Sequence, residues 1–317
     1  MSNLLDINAT ILQLLKKCLP LLSASDTRRD TKIATLDGLY LLWTNNKQEI
    51  DYSATVYELV INVFVNNVFS SSNSVTKKDK KETLYEFENT ELVYQMFQAF
   101  LKHNGFRPRK AQPFLDKDFV DSTIQRLNST VTAERIAVRD TIRYLHDTCS
   151  FLRSYIFQSA ICVLESFAYG KIRYHNGISE MLDVLKYSVI YSSIAETALN
   201  ELSKIIIHLI SHKSLVLFNI KLVECVAAID KSGKTLIPEI LITVLRLWRE
   251  NKELSLVYMQ LVEKLYTLCD KGEWMVLQPR LLSLITDVML GKENTALSNQ
   301  AIMLWNQIFP NRNLPDN

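Results

Sequence analysis

Apolar residues return at steps of three and four along almost the entire chain. Leu236, Ile240, Val244, Leu247 and Trp248, for example, fall on one stripe of a helix, the face that turns toward a core. The same spacing predicts helices over residues 4–22, 30–44, 53–69, 90–102, 113–127, 133–148, 151–168, 177–192, 196–211, 214–229, 235–250, 254–270, 274–290 and 295–308. So many amphipathic helices cannot all bury their faces in one compact bundle. Stacked helical hairpins, each covering a face of the next, are the expected solution. Leu42-Trp43, Leu247-Trp248 and Leu304-Trp305 each sit near the end of such a stretch, as if one end-of-helix slot recurred. Local start signals agree: Ser53 ahead of a helix, Asn176-Gly177 before Ile178, and Thr235 with Pro238 in a first turn.

Two segments break the pattern. Residues 70–82 are serine-rich and then lysine-rich, which predicts a mobile polar loop inside one domain spanning 1–310. Its Lys77–Lys81 cluster could serve nuclear import or touch an anion, but a solvated loop accounts for it. Residues 311–317 lack periodicity and are expected to be a disordered tail.

Composition narrows the function. The chain has 317 residues, 48% of them hydrophobic, with only seven glycines and seven prolines, so tight-turned β-rich folds are disfavoured. With Lys plus Arg at 36 and Asp plus Glu at 34, the charge is too balanced for nucleic acid to be the expected partner. No stretch reaches the roughly 18 to 20 apolar residues of a membrane span. The first helix carries Asp6, Lys16 and Lys17, unlike a signal-peptide core. The five cysteines (Cys18, Cys149, Cys162, Cys225 and Cys269) lie apart in apolar stretches and are expected to be buried thiols, in a reduced cytoplasmic or nuclear setting.

Candidate chemistry is sparse. Ser232-Gly233-Lys234-Thr235 imitates the end of a phosphate-binding loop, but the earlier glycine is Ala228 and no strand precedes it, so it reads as a turn between helices. His208 and His212 are four apart, yet no third metal ligand accompanies them. His146, Asp147 and Cys149 are neighbours on one helix, which seldom gives the geometry of a base-activated nucleophile. No acidic cluster suits metal or acid–base catalysis. A non-enzymatic binding protein without a cofactor is expected.

Specific stretches go further. Leu92 to Leu101, then Gly105-Phe106-Arg107-Pro108, Phe114 to Val120, Glu134-Arg135, Phe151 to Ile156 and the run His175-Asn176-Gly177-Ile178-Ser179-Glu180-Met181-Leu182 follow one another in the order seen in a known family. His212 to Leu215, Thr235-Leu236 with Pro238, Leu245 with Trp248, Glu273-Trp274, and Ala301 with Trp305-Asn306 continue it. In these stretches the sequence resembles the B-prime, or B56, regulatory subunits of protein phosphatase 2A, over roughly residues 33 to 308. The resemblance implies an all-α solenoid of about seven HEAT-like hairpin repeats, an ARM/HEAT-type superhelix. It also implies docking on the phosphatase scaffold and catalytic subunits, and choice of substrate proteins through short linear motifs. A HEAT-repeat adaptor that has lost the phosphatase is the alternative.

Family members take Leu-x-x-Ile-x-Glu peptides in a groove of apolar pockets and basic side chains. By resemblance the groove's H-R-x-Y element falls on Arg143, Tyr144, Leu145 and His146, so an arginine stands one place away from its usual position. Arg153 keeps a second basic position, or else is a helix-end residue; Val184 keeps one apolar pocket in type, Ser188 stands at the next, and Thr197 and Asn200 replace later basic residues. The acidic loop of many relatives is here Asn128 to Ala133, with no carboxylate. Relatives continue past Trp305-Asn306 through further helices, so the last apolar face is expected to be capped in another way.

Overall fold

A computed structural model of the protein describes residues 2–20, 28–69, 80–231, 236–290 and 295–309. Its helices are α1 (Ser2–Cys18), α2 (Arg29–Asn45), α3 (Ala54–Val68), α4 (Lys80–Lys102), α5 (Pro108–Ala111), α6 (Lys117–Gln125), α7 (Thr132–Thr148) and α8 (Arg153–Ala168). They continue as α9 (Ile178–Tyr191), α10 (Glu196–Ile210), α11 (Asn219–Lys231), α12 (Ile237–Glu250), α13 (Ser255–Tyr266), α14 (Lys271–Leu290) and α15 (Thr295–Ile308). No strand occurs among the described residues, so the fold is all-α.

The chain divides into two compact units, Met1–Val163 with Tyr174–Val184, and Leu164–Arg173 with Leu185–Asn317. In the first, α1 packs on α2 and α3, α2 and α3 on α4, and α4 on α7. In the second, α10 packs on α11 and α12, α11 and α12 on α13, α12 on α14, and α13 and α14 on α15. Within each unit a helix thus meets chiefly its next or next-but-one neighbour, the contact pattern of stacked hairpins.

The stripes predicted from spacing are the faces that bury. On α12, Leu236, Ile240, Val244 and Trp248 are all buried and Leu247 is half-buried, while Ile242, Arg246 and Arg249 are exposed, and Pro238 lies in the first turn, where its missing N–H costs nothing. Trp43, Trp248 and Trp305 are buried and stand two or three residues before the ends of α2, α12 and α15. The first unit's core is aromatic: Phe64 lies 4.5 Å from Phe97 and 5.7 Å from Phe119, and Phe100 lies 4.9 Å from Trp43 and 5.2 Å from Tyr57. Such ring pairs add about 0.5–1.5 kcal/mol each beyond area burial. In the second unit the core is mainly aliphatic, with Ile205, Ile206, Leu209, Leu222, Val226, Ile229 and Leu261 all buried.

Several expectations need correction. α4 begins at Lys80, ten residues ahead of the predicted start, so the last positions of the expected 70–82 loop are helical, and 70–79 lie outside the described residues. α5, a single turn opened by Pro108, falls between two predicted helices. Ser53 stands at the N-cap of α3, but its hydroxyl makes no hydrogen bond among the described residues; its backbone N–H instead donates to Asn8 Oδ1 at 3.2 Å. Of the five thiols, Cys18, Cys149 and Cys225 are buried and Cys269 is half-buried, but Cys162 is exposed because it lies on the outer side of α8. The Ser232–Thr235 turn and the 311–317 tail lie outside the described residues.

Candidate functional site

Five of the six groove candidates lie in the first unit, on α7, α8 and α9. At the end of α7 four main-chain carbonyls have no partner within the helix. Arg153, the first residue of α8, donates Nε to one of them, the carbonyl of His146, at 2.9 Å. Through Nε, Arg153 thus meets a helix-end carbonyl. The His146 side chain is 1% exposed, and burial first, then the Arg153 charge, pushes its pKa below the usual histidine value.

Arg143 and Tyr144 are half-buried on α7, and the Lys102 ammonium of α4 stands 3.9 Å above the Tyr144 ring. Such a cation–π contact at an open site is worth about 0.5–1 kcal/mol. Val184 is buried on α9; beside it Asp183, also buried, faces Arg139 Nε at 3.7 Å. Ser188 belongs to the second unit, is buried, and its hydroxyl has no hydrogen-bond partner among the described residues. Thr197 and Asn200 lie on α10 of that unit. So α7 brings Arg143 and Tyr144 to an accessible face, while His146 and Val184 are core positions and Arg153 is engaged by backbone.

The other chemical candidates are structural. Cys149 is fully buried, and burial raises its thiol to about 11, far from a reactive thiolate. His208 packs against the Tyr169 ring at 4.5 Å, and His212 against Phe167 at 4.2 Å with Nδ1 accepting the Ser214 N–H at 3.1 Å. No cluster of three metal-ligating side chains occurs among the described residues. None of the described helices is long and apolar enough to cross a membrane.

A feature that spacing did not reveal is a cleft of about 370 Å³ between α2 and α4, lined by Tyr40, Trp43, Asn46, Lys47, Gln98 and Lys102 among others. Apart from Trp43, the lining residues named are ordinary surface types taken singly, and only the packing of the two helices gathers them.

The family resemblance holds across the chain. Residues 7–309 match the sequence profile of the protein phosphatase 2A regulatory B subunit, B56 family. The chain belongs to the B56 family. The 56 kDa regulatory subunit delta 2 isoform of Schizosaccharomyces pombe is 26% identical over 285 residues, 83% of this chain and 45% of that protein. The human alpha isoform is 22% identical over 90% of this chain and 60% of its own length, and the Saccharomyces cerevisiae delta isoform 22% over 89% and 38%. The chain therefore spans about half the length of these relatives. All are named as regulatory, not catalytic, subunits.

Several of the stretches quoted for the family lie at joints of the first unit. A Cβ on Gly177 would stand 2.2 Å from the Leu127 carbonyl oxygen, and one on Gly105 equally close to that of Ile50, so both positions exclude any side chain. Asn176 grips the short 3-10 turn before α7, its N–H donating to Asn128 Oδ1 at 2.9 Å and its Nδ2 to the Asn128 carbonyl at 2.7 Å. Buried Glu134 accepts from Arg126 Nε at 3.0 Å and from the Tyr94 hydroxyl at 3.3 Å, while Arg135 donates to Glu180 at 3.1 Å. Asp116 caps α6 through the Phe119 N–H at 2.8 Å. These residues lock one helix pair of the first unit onto the next.

Proposed function

We propose that the chain is a non-catalytic regulatory subunit of protein phosphatase 2A that docks on the scaffold and catalytic subunits and selects phosphoprotein substrates in the cytoplasm or nucleus. The observation that carries this reading is the B56 match over residues 7–309, supported by the family's most specific run, His175 to Leu182, lying at a packed joint where its glycine is sterically required. A chain that keeps such joints keeps the architecture on which an extended docking surface depends. Short linear motifs remain the expected route of substrate choice, and the half-buried Arg143 and Tyr144 are the groove candidates that a peptide could reach.

The test is reconstitution. Purified protein is mixed with phosphatase scaffold and catalytic subunits, resolved by size exclusion, and the fractions are assayed for phosphatase activity. Co-elution of all three with activity is expected. Elution of the chain apart from an intact scaffold–catalytic dimer overturns the reading and leaves a helical-repeat adaptor with another partner.

A further inference from the structure

The ends of α8 and α10 meet at one edge of the second unit. Phe167, near the end of α8, packs against His212 at 4.2 Å and Phe218 at 6.2 Å, and Tyr169 packs against His208 at 4.5 Å. The turn that leaves α8, at Tyr169–Arg173, and the turn that joins α10 to α11 therefore lie side by side. The second of these is a short 3-10 stretch, Leu215–Leu217, in which the Leu217 N–H donates to the Ser214 carbonyl at 2.9 Å and the Phe218 N–H to that of Leu215 at 3.1 Å. Leu215 and Phe218 are buried and anchor it. Val216 is left at 56% exposure, Leu217 at 71% and Ile220, in the first turn of α11, at 54%. Adjoining aliphatic side chains so open to water mark a surface that something covers.

Charge says what covers it. Residues 166–179 and 202–223 contain no aspartate or glutamate, in a chain that has 34 of them. Lys171, Arg173 and Lys213 are exposed in or beside the two turns, and none of the three has a carboxylate partner among the described residues, whereas Lys186 and Lys221 both pair with Glu224. Carboxylates return in the turn from α12 to α13, at Glu250 and Glu253, so the acid-free edge is local. A nucleic acid would meet the cations but leave the aliphatic side chains in water, since its bases stack on aromatic rings. Lysine is depleted from protein–protein interfaces, and two of the three cations are lysines. An anionic lipid surface accommodates every part: its acyl boundary takes the aliphatic groups, its headgroups take the cations, and the exposed Tyr169 ring suits the level between.

We propose that this edge of the second unit docks the chain on the surface of an anionic lipid bilayer, with Val216, Leu217 and Ile220 entering the headgroup–acyl boundary and Lys171, Arg173 and Lys213 meeting the headgroups. The attachment is peripheral and reversible, of the strength that a few aliphatic side chains and cations sustain. It goes beyond the regulatory-subunit reading and does not depend on it.

The full chain is floated with vesicles of phosphatidylcholine alone or with about one-third phosphatidylserine, over a range of salt. Binding to the phosphatidylserine vesicles is expected to be tighter by about tenfold or more and to weaken as salt rises. Leu217→Asp and, separately, Lys171→Ala/Arg173→Ala/Lys213→Ala should each lower that binding about tenfold or more. All four side chains are exposed, so both variants should melt like the parent. Should Leu217→Asp lose its fold, the cation variant carries the test alone. A control, Lys47→Ala/Arg109→Ala/Lys117→Ala, removes three exposed cations of the first unit and should change binding little. Equal binding to both kinds of vesicle, or none to either, overturns the proposal. So does binding that survives a folded Leu217→Asp, or that falls as far in the control, since overall charge would then carry it. If vesicles are not bound and Leu217→Asp stops co-elution with scaffold and catalytic subunits, the edge is a protein interface and the lipid assignment falls.

Discussion

At Gly177 a single hydrogen atom decides whether two loops can close. Any Cβ there meets the Leu127 main chain, which cannot swing aside as a flexible side-chain end would. Gly177→Ala should therefore destabilise the protein by about 2 kcal/mol or more, in the range of core overpacking. Gly38, in the middle of α2, has open space where a Cβ would stand, so Gly38→Ala should gain about 0.5–1 kcal/mol by helix propensity. Urea unfolding of the two variants, of opposite sign, checks both. His175, two residues before Gly177, accepts the Gly177 N–H through Nδ1 at 3.1 Å, and burial, then the Arg135 charge, lowers its pKa to about 4. Protonating Nδ1 would break that bond. The unfolded chain binds this proton near pH 6.5 and the folded chain near 4, so between those values the unfolded state holds more protons and stability falls as pH drops. Discounted for partial exposure, the loss should be about 1 kcal/mol between pH 7 and pH 5. In His175→Asn, whose Oδ1 can still accept from Gly177, the slope of urea stability against pH should shrink over that window. An unchanged slope would assign the acid sensitivity to other buried histidines.

At the scale of elements, periodicity located the long helices because each buries one stripe, whatever its polar face contains. It missed the first ten residues of α4, whose Lys80-Lys81-Glu82 opening carries no apolar signal, and it missed α5, too short for any period to register. Glu134 was legible as a family residue, but its task was not, because its partners come from α4 and from the turn after α6 rather than from neighbours on its own helix. At 2% exposure it is an anion that the fold tolerates only with Arg126 and Tyr94 in place. Glu134→Ala leaves Arg126 facing a desolvated gap and should cost about 3 kcal/mol, measured by thermal or urea unfolding. The half-open pair of Lys221 with Glu224 is a contrast, and Lys221→Ala should change stability by less than about 1 kcal/mol. The candidate groove was the least legible part. Alignment assigns residues to positions, but only packing shows that His146 and Val184 turn inward and that Arg153 closes the end of α7.

At the scale of the whole molecule, stacked hairpins make stability a matter of neighbours. Within the first unit α2 meets α1 and α4, and α4 in turn meets α7, so a lesion on α2 is felt further on chiefly through α4 and, by way of α3, through the contact of Phe64 with Phe119 of α6. Lys32 supplies such a lesion. Its buried ammonium donates to the Pro20 carbonyl at 2.6 Å and to Asn67 Oδ1, while Asn67 Nδ2 donates to the Cys18 carbonyl at 3.2 Å. One lysine thereby joins the end of α1, the start of α2 and the end of α3. Lys32→Ala leaves those acceptors without their donor and should remove about 1–3 kcal/mol locally. Hydrogen exchange followed by mass spectrometry should then show α1 to α3 losing roughly tenfold or more in protection, while α7 changes far less. If protection instead fell equally along α1 to α7, the first unit would be unfolding as one cooperative block, and the nearest-neighbour account of the fold would be wrong there.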